Sequence, residues 1–188
     1  MSIQEKWDTN YAQREREVTA AKVLIENQHL LPASGKALDL ACGLGGNAKL
    51  LAKKGLDVDA WDLSPVAIEK LQQEAQLHNL AIKAQIRDVV EKPPTAQSYD
   101  VVVVSFFLER ELCAKLAEAL KPGGVLFYQT HCRDKVSEIG PSNPDYLLED
   151  NELLSLFSGL KVRVYQEEAM LGDHQQGFRN QALLVAEK

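Results

Sequence analysis

The chain has 188 residues, 45% of them hydrophobic and 26% charged, with a net charge of −6. That is enough for one domain with a real core, and the acidic balance disfavours a protein built around a phosphate-binding basic face, a local basic patch aside, so no nucleic-acid partner is expected. No apolar run reaches 18 residues, the opening Met-Ser-Ile-Gln-Glu-Lys has no apolar signal core, and the cysteines at 42, 113 and 132 form no C-x-x-C pair; the expectation is a cytoplasmic chain with no membrane span, reduced thiols and no disulfide frame or metal site.

Residues 3–29 read as helical. Trp7, Tyr11 and Arg14 stand at i, i+4 and i+7 and share a face, and Val18, Ala21, Leu24 and Ile25 continue as an amphipathic helix. Pro32-Ala33-Ser34-Gly35 breaks it. Ala37-Leu38-Asp39-Leu40 is a buried strand interrupted by Asp39, and Ala41-Cys42-Gly43-Leu44-Gly45-Gly46 turns into the helical spacing of Asn47–Lys54. Glycines here permit a tight turn and let a ligand lie against bare main chain, and the helix start offers free N–H groups and a positive dipole end. This is a nucleotide-cradling turn. Gly43 to Ala48 fits the dinucleotide fingerprint G-x-G-x-x-G/A, with Asp62 at the expected distance beyond it. Asp39 points the other way. A carboxylate at the ligand end of the first strand repels a pyrophosphate and suits an ammonium or a sulfonium.

Gly55 ends the crossover helix, and Leu56–Asp62 is the second strand. Its terminal acid is placed to accept ribose hydroxyls. Ser64-Pro65 then starts a helix over Val66–Asn79, with Ile68, Leu71, Ala75 and Leu77 towards the sheet. Ala81–Ile86 is the third strand, followed by Arg87-Asp88-Val89. Tyr99–Val104 is the fourth, its valine run typical of a parallel strand covered on both faces. Ser105-Phe106-Phe107-Leu108 leaves it, and Glu109–Leu120 is the next helix. Leu120-Lys121-Pro122-Gly123-Gly124 turns into an apolar strand that runs on to Gln129-Thr130-His131-Cys132. A loop at 140–148 leads to a helix at 149–157, and two last strands, 161–167 and 181–186, are joined by a hairpin-like connection at 172–178. Loops as long as 140–148 tend to be functional.

Three stretches carry a resemblance. Leu38-Asp39-Leu40-Ala41-Cys42-Gly43-x-Gly45-Gly46-Asn47 resembles the first motif of class I S-adenosylmethionine (SAM) methyltransferases, usually D/E-x-G/A-x-G-x-G. Leu120 to Gly124 matches that family's L-K-P-G-G turn. Gly140-Pro141-x-Asn143-Pro144-x-Tyr146-Leu147-Leu148, followed by Glu152-Leu153-Leu154-x-Leu156-Phe157, is similar to the tellurite-resistance and thiopurine type of small methyltransferase. The resemblance implies an α/β, doubly wound, Rossmann-like mixed sheet of seven strands in the order 3-2-1-4-5-7-6, the last strand antiparallel, with helices on both faces. It implies a single domain over residues 1–188, with 1–30 as a helical lid region over the cofactor.

It also implies S-adenosyl-L-methionine as cofactor and in-line methyl transfer to a small-molecule acceptor. Carried over, the cofactor-binding residues are Trp7, Tyr11 and Arg14 in the lid and Asp39, Ala41, Cys42, Gly43, Gly45 and Asn47 at the turn. Asp62 takes the ribose with Leu63 beside it, Asp88 takes the adenine amino group, Val89 packs on the ring, and Ser105 lies at the methyl end. His131 is the candidate base, ahead of His174, and Phe106, Phe107 and Tyr146 are candidate walls of an acceptor pocket. Base-flipping amino methyltransferases carry N/D-P-P-Y/F where this chain has Ser105-Phe106-Phe107-Leu108. The tellurite type often has arginine where Gly46 stands. The competing readings are a SAM-binding regulatory module without turnover, an NAD(P)-dependent oxidoreductase, and a protein or RNA methyltransferase. Acceptor identity and oligomeric state stay open.

Overall fold

The computed structural model describes residues 2–13 and 18–188. Among them, seven strands form one sheet: β1 (Lys36–Leu40), β2 (Asp57–Asp62), β3 (Ile82–Ile86), β4 (Tyr99–Ser105), β5 (Leu120–His131), β6 (Lys161–Glu167) and β7 (Gln181–Glu187). Their order is 3-2-1-4-5-7-6, as the resemblance implied. The first five are parallel neighbours, and β7 runs antiparallel between β5 and β6. The helices are α1 (Ile3–Ala12), α2 (Lys22–Asn27), α3 (Gly46–Lys53), α4 (Pro65–Leu77), α5 (Arg110–Ala119) and α6 (Glu152–Leu156). No helix of the described residues is long and apolar enough to cross a membrane.

The valine run of β4 explains the two layers. Val101 and Val103 pack with residues of α2, α3 and α4 on one face, among them Leu24, Leu51 and Leu71. Val102 and Val104 pack with α5 and α6 residues such as Leu112, Leu116 and Leu153 on the other. All four valines are fully buried, each contributing roughly 1.5–3 kcal/mol relative to exposure. The period of two puts Val101 and Val103 of β4, with the Val103 register partners Asp39 of β1 and Phe127 of β5, on the α2–α3–α4 face, while Tyr99, before the register shift, packs on the other.

Several expectations are corrected. The reading of 3–29 as helical fails in the middle: residues 18–20 carry no helix, and Ala21 is extended (φ −65°, ψ 151°) as the N-cap of α2. The reason is tertiary, since this strap lies against the start of α3 and bonds to it. Arg14 lies outside the described residues. On α2 it is Val23 and Leu24 that are buried, while Ile25 is exposed. Leu77 is also exposed, because it stands two positions past Ala75 and so on the opposite side of α4 from Ile68 and Leu71. The helix expected at 149–157 is shorter; it follows a 3-10 turn at Pro144–Tyr146 and a left-handed Asn151. The Pro122-Gly123-Gly124 turn is a bulge within β5, where the register jumps from Tyr99↔Leu120 to Val101↔Val125. Ser64 caps α4 as expected, accepting the Ala67 N–H at 3.2 Å, with Pro65 in the first turn.

Candidate cofactor site

The ends of β1, β2, β4 and β5 converge at one edge, and polar side chains concentrate there. Asp39 is fully buried. Its carboxylate accepts the Ala48 N–H at 2.9 Å and the Asn47 side-chain amide at 3.3 Å. Asn47 also donates to Ser105 Oγ at 2.9 Å and accepts the Ala21 N–H at 2.8 Å. Asp39 and Asn47 thus tie the start of α3, the exit of β4 and the strap into one network. Burial lifts the Asp39 carboxyl to about 7, opposed by the bonds from Asn47 and Ala48, with the Asp62 charge adding to the rise.

The turn itself runs through left-handed backbone at Ala41, Gly43 and Gly45. Two of these positions need glycine for space as well as for φ. A Cβ on Gly45 would fall 2.3 Å from the Leu71 side chain, and one on Gly43 would fall 2.9 Å from the Tyr11 hydroxyl. Cys42 is buried, and its N–H bonds to the Trp61 carbonyl at 2.9 Å, which seats the turn beside β2. Burial pushes the Cys42 thiol well above its ordinary range.

Asp62 closes β2 beside this turn. One carboxylate oxygen accepts the Gly43 N–H at 2.8 Å and the other the Ser64 N–H at 2.9 Å. Each oxygen keeps a further lone pair for a ligand hydroxyl. Burial raises this carboxyl above the usual range, opposed by backbone bonds from Ser64, Gly43 and Leu63 and assisted by the charge of Asp8. Leu63 is half-buried next to it. The Arg87 N–H bonds to the Asp62 carbonyl at 2.8 Å, bringing the β3 exit alongside. There Asp88 accepts the N–H groups of Val90 and Glu91 at 2.9 and 3.2 Å through one oxygen, and Val89 is buried.

At the N-terminus, Ser2 and Glu5 form a capping box on α1. Trp7 stacks on Tyr11 with ring centroids 5.6 Å apart, and Tyr11 is buried against Gly43. The strap comes even closer to the turn: a Cβ on Gly46 would fall 2.4 Å from the Thr19 carbonyl oxygen. The Thr19 carbonyl therefore stands where a side chain at position 46 would begin.

On the other flank, Phe106 leaves β4 at φ +57° and bonds its N–H to the Gln129 carbonyl at 2.8 Å. Its exposed ring lies 5.3 Å from the ring of His131, at the end of β5. His131 Nδ1 is buried without a partner among the described residues, with Gly140 packed on it. Burial, then the Lys135 charge, lowers the His131 pKa below its ordinary value, so the imidazole is neutral at pH 7. Phe107 packs into the α5–α6 side of the core rather than towards Phe106. Tyr146 is exposed on a loop that Arg110 clamps, donating to the Asp145 and Leu147 carbonyls at 2.7 and 3.0 Å and pairing with Glu152. His174 is exposed in the connection between β6 and β7, 2.7 Å from the Met170 carbonyl. Cys132 is buried and its thiol is pushed up to about 12.

Sequence reasoning gave no site role to Gln129, Asp8 and Thr19, and gave Ser64 only its helix cap. Gln129 is buried, accepts the Val23 N–H at 2.7 Å and donates to Gln181 at 2.6 Å, so it fixes the start of α2 to the sheet. Its signal was present, since it is a polar residue in an apolar strand, as Asp39 is. Thr19 left no signal, because it acts through its main chain.

Residues 37–124 match a family model described as a methyltransferase domain. The ubiquinone biosynthesis O-methyltransferase of Xanthomonas axonopodis pv. citri is 30% identical over 135 residues, covering 66% of this chain and 55% of that one. The chain spans about half the length of the curated relatives it matches. Among solved structures, TehB from Haemophilus influenzae superposes with a TM-score of 0.74 at 21% identity, over 97% of this chain and 67% of that one. A geranyl diphosphate C-methyltransferase from Streptomyces coelicolor, solved with S-adenosyl-L-homocysteine, gives 0.71 at 14% identity, over 88% and 76%. The fold is that of SAM-dependent methyltransferases.

Proposed function

We infer that this chain, which carries a methyltransferase domain on the class I fold, binds S-adenosyl-L-methionine and transfers its methyl group to a small-molecule acceptor. One observation carries the reading: the Asp62 carboxylate is held at the end of β2 between the Gly43 and Ser64 N–H groups, beside a turn stripped of side chains at Gly43 and Gly45. Those residues fit an adenosyl ligand. A carboxylate suits two vicinal hydroxyls, and charge-assisted bonds of this kind are worth about 1.5–3 kcal/mol each. Burial opposes the Asp39 charge and a neighbouring cation would favour it, so Asp39 under the turn suits a cationic ligand better than a pyrophosphate.

When bound, the sulfonium group supplies a methyl that is already activated for displacement. The protein's part is then placement and dryness. Asp62 and Leu63 would hold the ribose, and Asp88 and Val89 the adenine. Asp39 and Asn47 brace the turn, and Ser105 stands at the methyl end. Trp7 and Tyr11 would cover the site from α1 and keep water out. The neutral His131 beside Phe106 supports a role in taking a proton from a protic acceptor, and thiolate-like acceptors need no base. A cytoplasmic location fits cysteines kept as buried thiols. A small-molecule acceptor, rather than nucleic acid, fits the net negative charge.

Calorimetric titration with S-adenosyl-L-homocysteine, beside NAD and NADP, tests the reading. Micromolar binding of the homocysteine compound alone is expected. Binding of a nicotinamide nucleotide in its place would replace methyl transfer with hydride transfer.

A further inference from the structure

The Trp7-Asp8-x-x-Tyr11 stretch has one member with no task in the cofactor reading. Asp8 accepts the hydroxyl hydrogen of Ser64. Ser64 is fully buried, and its own polar atoms are bonded. Its N–H goes to Asp62 at 2.9 Å, its oxygen accepts the Ala67 N–H at 3.2 Å, and its O–H goes to Asp8. Two turns along α4, Lys70 donates to the Tyr11 and Ala12 carbonyls at 2.7 and 3.3 Å, at the negative end of the α1 dipole. These polar contacts bracket the Trp7–Tyr11 pair. Apolar burial does little to seat α1. Tyr11 is its one buried residue, Ile3 is 64% exposed and Trp7 37%. A helix of 10 residues is marginal in water unless something docks it.

We propose that Asp8 is a positioning residue of the cofactor site: by binding Ser64 it seats α1 on the turn that carries Asp62 and holds Trp7 and Tyr11 over Gly43. The inference rests on the cofactor reading above. Its physical content is that one buried serine joins the acid that takes the ribose to the helix that covers it. A carboxylate acceptor makes that bond charge-assisted.

Asp8→Ala and Asp8→Asn test it, by titration with S-adenosyl-L-homocysteine and by limited trypsin digestion after Lys6 of the free protein. Asp8→Ala is expected to weaken binding by about tenfold and to speed cleavage by a similar factor. The thermal midpoint of the sheet should hold. Asp8→Asn retains an oxygen acceptor for Ser64 and should restore most of both. Wild-type affinity and cleavage in Asp8→Ala would overturn the proposal. So would an Asp8→Asn variant no better than Asp8→Ala, which would assign the effect to charge alone. If the wild-type protein binds no S-adenosyl-L-homocysteine, the cofactor reading fails. The seating role is then decided by digestion alone: unchanged cleavage in Asp8→Ala overturns it, and faster cleavage rescued by Asp8→Asn sustains it.

Discussion

Replacing Gly46 by alanine adds one methyl group at the most crowded point of the strap. The new Cβ would lie 2.4 Å from the Thr19 carbonyl oxygen, 2.7 Å from its carbon and 3.2 Å from the Ala20 nitrogen. All three are main-chain atoms, so no flexible side chain can yield. The strap must move by about 1 Å to reach ordinary contact, and overpacking of this kind costs roughly 1–3 kcal/mol. The same movement pulls the Ala21 N–H away from Asn47 Oδ1, now at 2.8 Å, which costs roughly another 0.5–1.5 kcal/mol. Against this, alanine gains roughly 0.5–1 kcal/mol over glycine in a helix. Gly46 is the first residue of α3 and lies outside the left-handed region, so that gain is available. The net is a loss of about 0.5–4 kcal/mol, or roughly 1–16 °C in Tm for a chain of this size. Thermal unfolding followed by circular dichroism reads it directly. Gly46→Arg, the residue of the tellurite type, should be worse still. A Tm for Gly46→Ala equal to or above wild type would mean that helix propensity prevailed and that Thr19 does not sit on the turn, refuting the seated strap.

Two further outcomes are expected. Asp62→Ala removes the acceptor of the Gly43 and Ser64 N–H groups and should weaken S-adenosyl-L-homocysteine by about 10- to 100-fold; unchanged affinity in a folded variant would sink the ribose assignment. Asp39 governs a pH dependence. Its folded pKa of about 7 stands above the ordinary 3.8 because burial disfavours the charge, so its contribution to stability is fully present below the lower value and is lost as pH rises through the higher. Between pH 5 and 8 the free protein should lose about 2–3 kcal/mol from this group, read as the difference in urea-unfolding free energy between wild type and Asp39→Asn. His131, with its pKa lowered by burial, acts in the opposite sense and cancels in that difference; a difference that does not change with pH would refute the assignment.

Much of this protein was legible in the residue pattern. The valines of β4, the Asp39 that interrupts β1, the acid that ends β2 and the Ser64-Pro65 helix start are local signals of period and capping. They sufficed for strand order once the resemblance was drawn, and for the glycine turn and Asp62 without it. Leu77 was misplaced because a period argument extended by two residues crosses to the far side of a helix. The strap was misread because 18–21 has no forbidding residue; what keeps it extended is the Thr19 carbonyl on Gly46 and the long-range caps from Asn47 and Gln129.

The sequence by itself determined which residues carry charge, which segments must be buried, and where the chain can turn, because hydrophobic period, glycine and proline act within a few residues. The tertiary structure alone decided who bonds to whom across the edge of the sheet. Asp39 bonding to the start of α3, Gln129 capping α2 from 106 residues away and Asp8 reaching Ser64 depend on distances set by packing. A buried polar group must find a partner wherever the fold supplies one, and no local pattern specifies which.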